Sequence, residues 1–228
     1  MRDSYLCAAR LAGLAWCIVG ALPAHANLVT NGSFEFGTFS GGTNGNQSLG
    51  VGSTAMTGWT VTTDSLSWLN GSAFGLAPFA GAMYLDLTDT NDSGVSGGVT
   101  QTIGTVAGDT YLLTYRLGGS TLYNSELAIL ATAGAASATC TGPTPTTTAD
   151  WTLCSLAFTA TAASTTITLA GNGPQNSQYL GLDGVNVELT SAGAIPEPTS
   201  AALVLLALLG AGAGTVGARR GARSSAAV

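Results

Sequence analysis

The chain of 228 residues has no lysine, and its six basic residues are all arginine. That absence excludes a lysine Schiff base and a Walker-type phosphate loop. Histidine is nearly absent too, since the single His25 stands at the end of an apolar N-terminal segment. Ser-His-Asp and Cys-His nucleophile systems and histidine-ligated zinc are therefore excluded from everything after it. Between residues 27 and 189 no helix-length run carries apolar residues at helical spacing. What remains for chemistry is carboxylates, hydroxyls and aromatic rings.

Both ends of the chain carry targeting features. Arg2 and Arg10 flank a short charged region, 11–22 is apolar apart from glycine, and Ala24-His25-Ala26 reads as a small-x-small cleavage site. Residues 1–26 are thus expected to be a signal peptide removed by signal peptidase, with Asn27 as the mature N-terminus. Cys17 does not make a lipoprotein site, because the bulky Trp16 precedes it. Near the other end, 201–218 is an uncharged run of 18 residues. As a helix it would reach about 27 Å, just short of the roughly 30 Å hydrocarbon core of a bilayer. Arg219, Arg220 and Arg223 behind it form a cytoplasmic stop, which leaves the body on the opposite side of the inner membrane.

Pro196-Glu197-Pro198, the apolar run and the arginine cluster together resemble the PEP-CTERM sorting signal of exported proteins of Gram-negative bacteria. The resemblance covers 195–223, after a linker at 191–194 and before a tail at 224–228. It implies recognition of the Pro-Glu-Pro motif by an exosortase, removal of the hydrophobic run, and delivery of the body to the cell surface or extracellular matrix. An ordinary C-terminal membrane anchor is the alternative. Four glycines at 210, 212, 214 and 217 suit a temporary helix better than a permanent one, since each costs about 1 kcal/mol relative to alanine.

Without its two ends the chain is acidic. Residues 27–194 hold ten carboxylates and one basic residue, Arg116, for a formal charge of −9. Such a surface repels nucleic acid and anionic headgroups, so no nucleic-acid partner is expected. Only Cys140 and Cys154 remain in this segment, and in an oxidising compartment they should pair; the alternative is two free thiols. Pro143 and Pro145 mark an irregular connection between them.

The body has a period of two. In 110–117, Tyr111, Leu113, Tyr115 and Leu117 share a face that should be the core, and Leu112, Thr114 and Arg116 share the other. Further strands are expected at 58–62, 65–70, 82–87, 99–103, 126–131, 152–159, 165–170 and 180–189. In the last, Leu180 and Leu182 differ in parity from Val185, Val187 and Leu189, which predicts a β-bulge at Gly184. About nine short strands separated by Gly, Asn, Ser and Thr predict one all-β domain over 27–190, a β-sandwich of jelly-roll type, besides the signal peptide and one C-terminal transmembrane helix.

The opening Asn27-Leu28-Val29-Thr30-Asn31-Gly32-Ser33-Phe34-Glu35 and the closing Leu182-Asp183-Gly184-Val185-Asn186-Val187 bracket the body as in the choice-of-anchor C family, which it resembles along its whole length. Gly58-Trp59, Ser67-Trp68, Tyr84-Leu85-Asp86-Leu87, Thr100-Gln101-Thr102-Ile103, Gly108-Asp109-Thr110-Tyr111 and Trp151 with Phe158 keep the order. The resemblance implies a galactose-binding-like jelly roll of the kind used by carbohydrate-binding modules. It also implies a structural calcium ion held by Glu35, after the first strand, and Asp183, in the last; the alternative is that both carboxylates hydrogen-bond loop amides. A second acidic loop, 86–94, imitates the start of an EF-hand but has Thr100 at the twelfth position, so it reads as a solvated turn.

Sugar binding needs exposed rings beside polar side chains. Tyr123, Tyr179, Phe74 and Phe79 lie in expected loops and are the candidates, whereas Trp59, Trp68 and Trp151 are expected in the core. The leading expectation is an exported, non-enzymatic surface or matrix protein with a carbohydrate-binding-like domain, associated with exopolysaccharide or biofilm. A carboxylate-dependent glycoside hydrolase is one alternative, although nothing in the spacing of Glu35, Asp86, Glu126 and Asp183 singles out a pair. An ice-binding protein is the other, although the threonines do not recur at a fixed period along the chain.

Overall fold

The structure, a computed structural model, describes residues 26–72, 74–88, 96–123, 127–172 and 179–193. Both segments expected to be targeting signals, apart from Ala26, and the last residue of the expected linker lie outside this set. The strands are β1 (Asn46–Leu49), β2 (Thr60–Thr62), β3 (Leu66–Asn70), β4 (Met83–Asp86), β5 (Gly98–Gly104), β6 (Thr110–Gly119), β7 (Leu127–Ala133), β8 (Ala136–Gly142), β9 (Trp151–Thr159), β10 (Ser164–Gly171) and β11 (Leu180–Ser191). They hydrogen-bond as a six-stranded sheet, β1-β3-β4-β11-β6-β9, and a five-stranded sheet, β2-β5-β10-β7-β8, both antiparallel.

Packing follows from the alternation. Tyr111, Leu113, Tyr115 and Leu117 of β6 are buried together with Val99, Ile129, Ile167 and Leu169 of the other sheet, which makes a single sandwich core. Trp59 and Trp68 sit in that core, and their indole N–H groups donate to the Asn31 and Phe34 carbonyls. Each large side chain so buried contributes about 1.5–3 kcal/mol. The Cys140–Cys154 disulfide is formed, with Cα atoms 5.9 Å apart. It joins β8 to β9, the edge strands of the two different sheets, and so closes one side of the sandwich.

All nine expected strands are present, with ends moved by up to two residues. Two more, β1 and β8, were not expected. Both are edge strands that bury little apolar surface, so their sequences, Asn-Gln-Ser-Leu and Ala-Ser-Ala-Thr-Cys-Thr-Gly, carry little alternation. The opening segment is a correction of the opposite kind. Residues 30–33 form a turn rather than a first strand, and the segment is held by Leu28 N–H donating to Val187 C=O and Val185 N–H to Gly32 C=O. The bulge in β11 lies where the parity changes: register shifts between Asp183 and Asn186, and Gly184 takes φ +57°, a left-handed value that glycine adopts freely.

On the outer face of the five-stranded sheet, Thr60, Thr100, Thr168, Thr132 and Ser137 are successive cross-strand neighbours. One rank of hydroxyls thus crosses five strands that contain no charged residue.

Candidate functional site

The two ends of β11 define two poles of the sandwich, about 36 Å apart at 3.3 Å per residue. At the Ser191 end, Gly193 N–H donates to Asp109, and Leu28 lies beside Val187. Both ends of the described chain are therefore gathered there. The start of the expected linker is part of the fold. At the Leu180 end the outer face of the six-stranded sheet carries a second apolar cluster of Leu69, Leu76, Tyr84 and Tyr179, with Trp151 packed on it.

This cluster exists because Gly118 and Gly181, paired across β6 and β11, leave a trench in the sheet surface. A Cβ on Gly118 would come within 2.7–2.9 Å of the Trp151 ring, and one on Gly181 within 2.5 Å of Leu76. Trp151 lies in the trench with its indole N–H on the Ala77 carbonyl. The sequence reading of Trp151 as core is thus correct only in part, since it belongs to this outer cluster and is half-buried.

Over the cluster runs the β3–β4 connection, 71–82, an Ω-loop whose ends meet through Gly71 N–H and Ala82 C=O. Several anchors hold it. Tyr84 and Thr121 donate to the Leu76 and Gly75 carbonyls, Ser120 donates to Phe74 C=O, and Ala77 N–H donates to Thr148 C=O. At its returning limb Asp183 accepts from Phe79 and Ala80 N–H at 2.9 and 3.0 Å, and Glu35 accepts from Ala82 and Met83 N–H at 2.9 and 2.8 Å. The two carboxylates expected to share a calcium ion are indeed brought to one loop. That loop turns backbone N–H groups toward them.

Asp183 also accepts from Gly184 N–H, and among the described residues no group of three or more His, Cys, Asp or Glu gathers around it. Calcium needs six to eight oxygens. Backbone carbonyls, Asn31 or Asn186 would have to complete the shell of an ion held by Glu35 and Asp183, and the hydrogen bonds present are those of the amide-holding alternative. Asp183 is fully buried, and loss of hydration pushes its carboxyl up to about 7 against the pull of its three amide donors, with Glu35 adding to the rise. Arg116, its cross-strand neighbour, lays its guanidinium 4.3 Å from the centre of the Phe79 ring. The body's single basic side chain therefore holds the loop through a cation–π contact.

The four aromatic candidates converge on this face. Tyr123 stacks parallel to Tyr179 with centroids 6.2 Å apart, Phe74 meets Tyr179 at 6.2 Å, and Phe79 meets Trp151 at 6.3 Å. Tyr84 links the two groups, at 6.5 Å from Tyr179 and 6.2 Å from Trp151. Tyr179 is a correction to its assignment as an exposed loop residue. It is 5% exposed, and its hydroxyl shares a 2.8 Å hydrogen bond with Tyr84. Burial pushes that hydroxyl far above the usual tyrosine range, with Asp86 adding to the shift, so it stays protonated. It backs the site rather than facing a ligand.

What faces solvent is Phe74 at 44%, Tyr123 at 41%, Phe79 at 44% and Leu122 at 69%, the last not expected from the sequence. Rings held at fixed tilt on a backing of buried rings make a preorganised stacking surface. Asp86, in the loop that imitates an EF-hand, is buried and accepts from Thr88 N–H and O–H and Leu180 N–H, while the rest of that loop lies outside the described residues. Pro196, Glu197, Pro198, Arg219, Arg220, Arg223 and Ala24 also lie outside them; Ala26 is exposed.

A family model described as "Protein of unknown function (DUF642)" matches residues 27–187. No curated protein matches the chain. Among solved structures, the carbohydrate-binding module TmCBM61 in complex with β-1,4-galactotriose is similar at 16% identity and a TM-score of 0.50, covering 72% of this chain and 99% of that one. A family 35 carbohydrate-binding module from Clostridium thermocellum matches at 11% identity and a TM-score of 0.43, covering 64% of this chain and 99% of that one. Arabinose-bound MgGH51 α-L-arabinofuranosidase matches at 17% and 0.49, over 72% of this chain and 26% of that one. At such identities the likeness to TmCBM61 is one of fold, a jelly-roll-like sandwich.

Proposed function

The chain belongs to the DUF642 family, and from that premise and the aromatic face we propose that it is a non-catalytic, carbohydrate-binding-like protein displayed outside the cell. The observation that carries the reading is the rigid surface of Phe74, Leu122 and Tyr123 over buried Tyr179. Sugar rings bind such surfaces by stacking their apolar faces on fixed aromatic rings, with loop hydroxyls and amides beside them. The carboxylates speak against hydrolysis. Of the four candidates, Glu126 lies outside the described residues, Glu35 and Asp183 are engaged by amides of one loop and Asp86 is buried under three donors, whereas a glycosidase needs two carboxyl groups facing across an open cleft.

Display is the second half of the proposal. Signal peptidase cuts after Ala26, the tail holds the body at the inner membrane, and an exosortase cuts near Pro196-Glu197-Pro198 to release the body to the surface or an exopolysaccharide matrix. Its support is positional. The tail leaves from the pole at Gly193 and the aromatic face lies near the opposite pole, so a chain tethered by its C-terminus presents the rings away from the tether. A glycan array probed with the full chain tests the binding half, with neutral-glycan binding expected and a uniformly blank array against it.

A second reading rests on the uncharged rank Thr60, Thr100, Thr168, Thr132 and Ser137, whose spacing across strands of about 4.8 Å gives an ordered hydroxyl face of the kind an ice-binding protein needs. Strand twist of about 20–25° per step works against it. Thermal hysteresis in dilute solution tests it, and its absence removes this reading.

A further inference from the structure

Beside Trp151 the β8–β9 connection leaves an open depression of about 410 Å³, within the size range of small-ligand sites. Pro143, Thr144, Thr146, Asp150 and Thr152 line it together with the tryptophan. Three features make it more than a surface dip. Trp151 cannot turn, because its N–H is committed to Ala77 and its ring is seated against Gly118 and Gly181. The part it shows to the depression is therefore a fixed apolar surface.

Asp150 is fixed as well. It accepts the N–H and O–H groups of both Thr146 and Thr147 at 2.6–2.8 Å, which hold its carboxyl well below the usual carboxylate range. Because its hydroxyl proton is committed to the carboxylate, Thr146 can serve a ligand through that oxygen only as an acceptor. The third feature is the Cys140–Cys154 bond, which closes the segment carrying all six of these residues and limits how far the walls can part.

A permanent negative charge with no cation among the lining residues rejects anionic ligands. Threonine hydroxyls beside a fixed aromatic surface suit an uncharged, polyhydroxylated ring. Trp151 is also one end of the chain of rings that leads through Tyr84 and Tyr179 to Phe74 and Tyr123 in steps of 6.2–6.5 Å. We propose that the depression is a second saccharide subsite, which takes a neutral hexose unit of the same glycan whose neighbouring part stacks on Phe74 and Tyr123. This rests on the carbohydrate reading above.

Hydroxyl-radical footprinting of the full chain separates the two claims, because each ring reports by its own peptide. The probes are β-1,4-linked galactohexaose and cellohexaose, with hexagalacturonate as the anionic counterpart. A neutral hexasaccharide is expected to protect Trp151 together with Phe74 and Tyr123, and hexagalacturonate is expected to leave Trp151 unprotected. Thr144→Val with Thr152→Val should weaken neutral binding about tenfold, the loss of one or two hydrogen bonds, at an unchanged Tm. Protection of Phe74 and Tyr123 without Trp151 overturns the subsite and leaves the carbohydrate reading standing. Equal protection of Trp151 by hexagalacturonate overturns the neutral specificity. No protection of any ring by any of the three probes overturns both.

Discussion

Asp183 shows what a single buried carboxyl does to this fold. Its proton is held up to about 7 by burial, above the ordinary value near 3.9, so the folded state binds the proton more tightly than the unfolded state does. The sign follows from linkage. The stability that protonation adds is fully present below about pH 4 and is lost as pH rises through 7. Thermal melts are expected to give a higher Tm at pH 5 than at pH 8, by an amount on the order of 2–4 kcal/mol in stability. Asp183→Asn should flatten that dependence; a steeper one would mean that another group carries it. Excess EDTA is expected to leave Tm unchanged, because Asp183 and Glu35 are occupied by amides. A fall of several degrees would instead show a structural calcium ion.

At the scale of elements, the Ω-loop and the β8–β9 connection are the two pieces that build the face, and each has a point where it can be broken. Gly181→Ala places a methyl 2.5 Å from Leu76 and should destabilise by about 1–3 kcal/mol while lifting the loop from the sheet. Hydrogen exchange at Phe79 and Ala80 reads that lifting, and unchanged exchange would mean that the loop is held from elsewhere. Cys140→Ser with Cys154→Ser removes the constraint across a sequence separation of 14, worth about 3 kcal/mol in the chain-entropy model. For a domain of this size that is about 6–12 °C in Tm.

Legibility in the sequence also differs by element. The inner faces of β6 and β11, including the bulge at Gly184, could be read because burial on one side of a strand imposes a period of two. The edge strands β1 and β8 bury little and could not. The disulfide was readable by elimination. The aromatic candidates were found as loop residues, but nothing in the sequence says that Gly118 and Gly181 leave a trench, that Tyr179 turns inward, or that Trp151 ends the chain of rings. The threonine rank was hidden for a related reason: its repeat runs across strands set by register, so no period appears along the chain.

At the scale of the whole sandwich the arrangement is polar in the geometric sense, with Leu28 and Gly193, near the two ends of the described residues, at one end and the exposed rings near the other. If export and sorting proceed as proposed, mass spectrometry of the surface fraction finds an N-terminus at Asn27 and no peptide beyond about residue 201; intact tail in mature surface protein would contradict the sorting claim. The central claim is that the preorganised rings bind neutral glycan. Isothermal titration of the full chain and of Phe74→Ala/Tyr123→Ala with the best array ligand tests it most directly. Both side chains are more than two fifths exposed, so the variant should keep its fold and Tm within about 1 kcal/mol of stability. At least a tenfold loss of affinity is expected in that variant, and unchanged affinity at unchanged Tm would contradict glycan binding by these rings.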